Sequence, residues 1–385
     1  MIVYILCFIT SLLLFSIASK VKKQQKILII AIALIIPCAL AASRDDTIGT
    51  DVQVYLRPIY EAAEQSLDFG DYLGRSWFHI YKYNKISDYE FGFVFVVYIV
   101  TKIFHTIASV KFVIEFLVLY PIYIAFKKYC DEVPTWMGMG TFYLLFYNQS
   151  FNLMRQYIAV AFLFLGIIGY LKKADTKHYV LFQIFSLLFH RSAMVGIPIF
   201  IIARYLKNSD MQYRSNVPLV EENKYTDNKG KVFFLSMVGI GILLTFGVVS
   251  KVLSLLGLGR YIGYVDGGLT FMPNQIIIRL PIISMCFWKW NKLVYKYSNT
   301  DFLVTMLIYT MVFAQFAGAS TFGARIAVYF AVFQVLLIPQ ILCSNFLKSR
   351  INICNMLLGG YLIFYWYYFY VLLGIDATIP FLAAL

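Results

Sequence analysis

Charge is scarce in this chain. Only 14% of its 385 residues are Asp, Glu, Lys or Arg, against about 25% in soluble globular proteins, which excludes a water-soluble enzyme of this size. Histidine is rarer still: His79, His105, His178 and His190 stand far apart, and no zinc-ligand spacing is present. The six cysteines are scattered, mostly in apolar runs, without a C-x-x-C pair; this excludes a disulfide-stapled secreted scaffold. Neither a P-loop nor a G-x-G-x-x-G turn occurs, so nucleotide binding by those routes has no support. Apolar residues are abundant, at 61% with a mean hydropathy of +0.73. The net charge of +13 superficially suits a nucleic-acid partner. Its basic residues fall in short clusters between apolar runs, however, which is the distribution of a membrane protein, and no nucleic-acid partner is expected.

The long apolar runs cover residues 1–19, 27–43, 133–154, 156–171, 232–250, 301–324, 326–347 and 351–375, with shorter ones at 110–126, 179–189, 193–206 and 276–288. Each long run approaches the ~20 residues that cross a bilayer, and in lipid such segments are helical because no water satisfies the backbone. The expectation is an all-α polytopic protein, one integral membrane domain over residues 1–385 with about twelve crossings. Residues 91–101 hold eleven uncharged positions, about 16 Å of helix. That is short for a crossing, so a re-entrant segment is expected over 91–109. Lys20, Lys22, Lys23 and Lys26 follow the first run instead of preceding it, which argues against a cleaved signal and places the N-terminus outside. The loops holding Lys127-Lys128, Lys172-Lys173, residues 207–231, Lys289 to Lys296 and Lys348 to Arg350 are then cytoplasmic, and every one is basic.

Lysine therefore sets the orientation, and arginine collects on the other side. Of eleven arginines, eight fall at the expected outer face: Arg44, Arg57, Arg75, Arg155, Arg191, Arg260, Arg279 and Arg325. A planar guanidinium forms paired hydrogen bonds to phosphate and keeps its charge when partly buried, so such a set suggests a phosphate-bearing ligand. Arg57, Arg75 and Arg260 fit ordinary snorkelling to the interface. Arg155 and Arg325 instead interrupt long apolar patterns. An arginine at the bilayer centre costs roughly 2.5–3.5 kcal/mol on insertion scales, so both should face a polar cavity.

The segment 44–90 is the longest external one, expected to be extracytoplasmic, and carries nine acidic against five basic residues. Val52, Leu56, Ile59 and Ala63 recur at helical spacing, the pattern of a short interfacial helix with an apolar underside capped by Thr50 or Asp51. Its tyrosines and tryptophans suit either stacking against sugar rings or an interfacial belt. Asp45, Asp46 and Asp51 suit either a divalent cation or pairing with Arg44, and the second is favoured, so neither metal nor cofactor is expected. His190, beside Arg191 at a hairpin turn, is the first candidate general base, because a neighbouring cation favours neutral imidazole; the alternative is a bond to a free helix carbonyl.

These residues form an ordered series: Arg44…Gly49-Thr50-Asp51…Tyr55, Glu90-Phe91-Gly92-Phe93, Asn152…Arg155-Gln156…Ala159, Phe189-His190-Arg191-Ser192-Ala193 and Arg325…Tyr329-Phe330. In it the chain resembles the Wzy-type polysaccharide polymerases, in particular their EpsG-like branch. The resemblance implies a glycosyltransferase of the C-type membrane fold on the outer face of the bacterial inner membrane. Its donor and acceptor would be undecaprenyl-diphosphate-linked glycans, the donor being transferred to the non-reducing end of another lipid-linked repeat. Chain-length regulator and flippase proteins would be partners, beside membrane lipid. On that reading Arg155 and Arg325 bind the donor diphosphate, supported by Arg44, Gln156, Arg191, Arg279 and Tyr329, and His190 is the base, with Asp51 or Glu90 as alternatives. An O-antigen ligase would share the donor site. A lipid-linked oligosaccharide flippase also needs cations, but the chain shows no internal repeat of the kind transporters carry.

Overall fold

The computed structural model describes residues 1–79, 82–214, 226–245, 270–318, 324–344 and 353–383. The chain divides into two units, residues 1–194 with 359–385, and residues 195–358. Helix dominates both. Among the described residues five helices are long and apolar enough to cross a membrane: Lys23–Ser43, Ile107–Tyr129, Met154–Lys173, Thr300–Gly318 and Arg325–Cys343. Ile2–Ala18 and Phe91–Phe104 are shorter apolar helices.

In the first unit the helices are α1 (Ile2–Ala18), α2 (Lys23–Ser43), α3 (Arg57–Gln65), α4 (Phe69–Gly74), α5 (Phe91–Phe104), α6 (Ile107–Tyr129), α7 (Thr135–Leu145), α8 (Tyr147–Ser150), α9 (Met154–Lys173) and α10 (Thr176–Phe189). At the centre lies α9, packed on α6 and α10, while α2 packs on α1 and α6. From Gln156 to Tyr170 nearly every residue of α9 is buried, as expected of a helix that is apolar all round. Its lysines, Lys172 and Lys173, sit in the last turn, where they also complement the helix dipole. Arg155 is at its opposite end, so the two charge types are separated by the length of a 20-residue helix, about 30 Å.

The run 133–154 is not one span. Its helix breaks at Phe146, between α7 and α8, and again over 151–153. Polar side chains take the freed space: Asn148 donates to Thr378 Oγ1 (2.8 Å) and accepts from Trp366 Nε1 (2.9 Å), which ties the break to the C-terminal segment. The short segment after Glu90 is one continuous helix, α5, ended by His105 in the left-handed conformation (φ 53°). The expected helix after Asp51 forms as a π-helical turn, Val52–Leu56, running into α3. Its underside is covered by protein: Val52, Leu56, Ile59 and Ala63 are all fully buried, and α3 packs on α5 and α6. An all-α expectation also misses a hairpin, β1 (Ser76–His79) with β2 (Lys82–Lys85), antiparallel in the register Trp77 to Asn84 and Phe78 to Tyr83. Cross-strand aromatic pairs of this kind stabilise short ribbons.

The second unit holds Gly196–Arg214, Thr226–Leu244, Pro273–Ile277, Leu280–Trp288, Trp290–Lys296, Thr300–Phe313, Ala324–Ala331 and Gln334–Cys343. Helix Thr300–Phe313 is its core, packed by Thr226–Leu244 and Ala324–Ala331. Of the 207–231 loop, residues 207–214 continue a helix and 215–225 lie outside the described residues, as do Arg260 and Arg350.

One close approach decides where the site forms. α5 and α10 meet at Gly92, where an added Cβ would stand 2.7 Å from Leu188 O and 3.0 Å from its Cβ. A carbonyl of a packed helix does not give way as a flexible side chain does, and overpacking of this kind costs about 1–3 kcal/mol. Gly92→Ala should therefore lower the thermal unfolding midpoint of the detergent-solubilised protein measurably; an unchanged midpoint would contradict the contact.

Candidate functional site

The segment after α2 is fastened to the N-terminus of α9 by three consecutive residues. Gly49 takes φ +95°, open chiefly to glycine, and a Cβ there would lie 2.8 Å from Phe151 O. The Thr50 amide donates to Asn152 Oδ1 (2.6 Å), and Asn152 Nδ2 donates to Asp376 O (2.5 Å). Asp51 Oδ2 then accepts from the Met154 amide (3.1 Å), one of the first-turn N–H groups that α9 leaves open. The expected cap of its own helix by Asp51 is not made among the described residues; Asp51 instead accepts from the start of α9. Tyr55 O–H donates to the same carboxylate oxygen.

This lock places Tyr55 against Arg155. The guanidinium lies over the rings of Tyr55 (4.6 Å) and Tyr89 (4.7 Å), and Nη1 donates to Glu90 Oε2 at 2.5 Å. Glu90 precedes α5, and the Gly92 contact brings it beside the end of α10. There its other oxygen, Oε1, accepts from the Arg191 amide (3.2 Å). His190 follows the last residue of α10 and turns its Nδ1 to the Ser192 amide (3.2 Å) and hydroxyl (2.6 Å). An Nδ1 that accepts an amide N–H leaves the proton of neutral imidazole on Nε2. Asp51, Tyr55, Tyr89, Glu90, Arg155, His190 and Arg191, spread over 140 positions of sequence, thus form one charged cluster with aromatic walls, and it is half-buried: side-chain exposure is 9% for Glu90 and 21% for Arg155. Burial disfavours the Glu90 carboxylate, but Arg155 and then His190 outweigh it and hold the carboxyl below the usual range. Burial, reinforced by Asp51, pushes the Tyr55 phenol well up, so it remains a donor. Cation–π contacts at desolvated sites are worth about 2 kcal/mol, and removing one partner of a buried ion pair costs about 3–5 kcal/mol.

The remaining candidates have other partners. Arg44 is 2% exposed and stacks on Phe151 (3.9 Å). Glu115, equally buried and bonded by Ser150 Oγ (3.1 Å), lies within electrostatic reach of it; among the described residues Arg44 Nε and Nη1 have no hydrogen-bond partner. Lys111 donates to Arg44 O and to Asp46 (3.0 Å). This inner network was missed from sequence, although Lys111 and Glu115, four apart in an apolar stretch, were its signal. Gln156 is buried at 2%. Arg57 pairs with Glu61 and Asp46, and Arg75 with Asp71, ordinary peripheral pairs. Arg279, Arg325 and Tyr329 belong to the second unit. There Arg279 Nη1 donates to Gln275 O (2.6 Å), Arg325 is half-buried near the start of Ala324–Ala331, and Tyr329 is fully buried one turn on. Among the described residues no group of three His, Cys, Asp or Glu side chains is placed to hold a metal ion.

A helical membrane protein with a charged, aromatic-walled cluster at the end of its central helix is the class these features define. The chain belongs to the EpsG family of polysaccharide polymerases, whose sequence profile matches residues 26–382. No curated protein and no solved structure matches it.

The Glu90 carboxyl generates a pH prediction. A carboxylate whose folded-state pKa is depressed contributes stability that is present above its unfolded value and is lost as pH falls through the folded one. Glu90→Gln should therefore flatten the acid limb of stability against pH, measured by thermal unfolding between neutral pH and the acid range below ordinary carboxylates. An acid limb identical to that of the unaltered protein would contradict the pairing.

Proposed function

We propose that the chain is a Wzy-type polysaccharide polymerase: a glycosyltransferase of the C-type membrane fold, with about twelve crossings of ~20 residues each, that works on the outer face of the bacterial inner membrane. It transfers a growing glycan from undecaprenyl diphosphate to the non-reducing end of another lipid-linked repeat. Family membership supports the polymerase role. The single observation that carries the chemistry is the Arg155–Glu90 pair with the Arg191 amide on the same carboxylate: two anion donors converge on one seat. The basic loops at the far ends of α6 and α9 support an outer position for that seat through the positive-inside rule.

In this reading the donor diphosphate takes Arg155, with the Nε2–H of His190 and the Arg191 side chain as further donors. Glu90, released from its partner, regains basicity and accepts the proton of the acceptor hydroxyl. That oxygen bonds to the anomeric carbon, the carbon–oxygen bond to phosphate breaks, and the lipid diphosphate leaves as the anion. Donors that tighten on the departing charge lower the barrier. Asp51 positions Arg155 through α9 and Tyr55, and Arg44 holds the start of the loop. Arg279, Arg325 and Tyr329, considered on their own unit, are candidates for contact with lipid-linked substrate, and flippase and chain-length proteins act before and beside the enzyme.

Arg155→Lys keeps the charge but loses the planar fork. Polymer formation from lipid-linked repeats in reconstituted vesicles should fall by on the order of 10²-fold at unchanged protein level. Near-normal chain growth would refute the diphosphate role.

A further inference from the structure

Two pairs of helices end side by side in the first unit. α1 stops at Ala18 and α2 starts at Lys23, while α6 stops at Tyr129 and α7 starts at Thr135. α1 packs on α2 and α7, and α6 packs on the same two, yet at these ends the four leave a cavity of about 230 Å³. That is far more than the roughly 10–15 Å³ one water needs. Its wall is aromatic: Phe15 of α1 stacks on Tyr123 of α6 (5.7 Å), and both rings are buried, as is Phe126. Its rim is charged and partly open, formed by Lys26, Lys127 and Asp131, with Trp136 of α7 37% exposed beside them. Among the described residues neither lysine is in an ion pair, whereas the nearby Glu132 is taken by Lys172 (3.6 Å). The Lys127 ammonium lies over the Tyr123 ring (5.7 Å), which keeps it at the cavity. The Lys172–Glu132 pair also fixes which end of the unit this is: the lysine end of α9, remote from Arg155.

Depth and charge decide what fits. Here the apolar runs of α1, α2 and α6 give way to Lys20, Lys22, Lys23 and Lys26 and to Lys127 and Lys128. In a membrane protein that change marks the level of the lipid head groups, where tryptophan is also favoured. Two lysines against one aspartate give the lining a net charge of +1, whose complement is a head group of net negative charge. The aromatic wall suits the glycerol and first acyl carbons attached to it. Basic pockets between transmembrane helices hold anionic head groups on these grounds. We propose that this cavity binds the phosphate head group of an anionic phospholipid, with Lys26 and Lys127 on the phosphate and Phe15, Tyr123 and Trp136 against the glycerol. The site is separate from the Arg155 cluster and independent of the polymerase reading.

The full-length protein in phosphatidylcholine vesicles tests this, with phosphatidylglycerol brominated in its acyl chains as the probe. The tryptophan fluorescence lost in Trp136→Phe defines the Trp136 signal. Half-quenching of that signal should need about fivefold less brominated phosphatidylglycerol than brominated phosphatidylcholine, because one net charge near a bilayer surface is worth about 1 kcal/mol. Lys127→Gln or Lys26→Gln should bring the ratio close to one, Lys127→Arg should keep it, and Asp131→Asn should raise it about fivefold further. Lys20→Gln with Lys23→Gln, which removes two neighbouring charges that do not line the cavity, should leave it within twofold. Equal quenching by the two lipids in the unaltered protein overturns the proposal. So does an equal loss in the Lys20 and Lys23 variant, which would mark a diffuse basic surface. Relief of quenching by millimolar inorganic phosphate would mark a site for a free anion and overturn it too.

Discussion

A guanidinium held between two tyrosine rings and a carboxylate is the contact on which the rest of this site depends. Arg155 enters an apolar helix at its first turn, where an uncompensated charge would be costly. The chain compensates it from three directions: Tyr55 from the loop after α2, Tyr89 and Glu90 from the start of α5, and the turn after α10 through the shared carboxylate. Each of those segments is then committed to one position. The charge therefore organises the segment 44–90 as much as that segment shelters the charge.

Each small motif in this region has a packing or bonding reason. Gly49 is needed for a positive φ and a close approach to Phe151, Asn152 for bonds to Thr50 and Asp376, Asp51 for the open amide of Met154, and Gly92 for the contact with Leu188. None of these bonds is chemically reactive. Their joint effect is that Glu90, Arg155 and His190, the groups to which the proposed reaction is assigned, are pre-positioned on helix ends and not on a free loop, which is the arrangement that lets hydrogen-bond donors act without reorganising.

Much of this was legible in the sequence because it follows from solvation. Apolar runs ended where lysines begin, and an arginine inside an apolar pattern had to be compensated, so α9 and the end of α10 could be read from the pattern, while Glu90 and His190 joined Arg155 only through the family resemblance. The identity of the compensating groups could not. Tyr55 and Tyr89 read as sugar-stacking or belt residues because an aromatic side chain serves lipid, sugar and cation equally well. Arg44 read as an outer cation, whereas its burial against Phe151 and near Glu115 of α6 is a tertiary fact with only a four-residue Lys–Glu spacing as its trace. The break at Phe146 and the hairpin at Ser76 escaped for a related reason: each is held by tertiary partners, Thr378 and Trp366 in one case and Val54 and Tyr89 in the other.

The seat now filled by the Glu90 carboxylate is, in the proposed reaction, the seat of the donor diphosphate. Binding of sugar-free polyprenyl diphosphate to the purified protein, compared with that to Glu90→Gln, tests this directly. If the phosphate must displace the carboxylate, neutralising Glu90 tightens binding while abolishing turnover. Unchanged or weaker binding in Glu90→Gln would mean that the lipid diphosphate lies elsewhere.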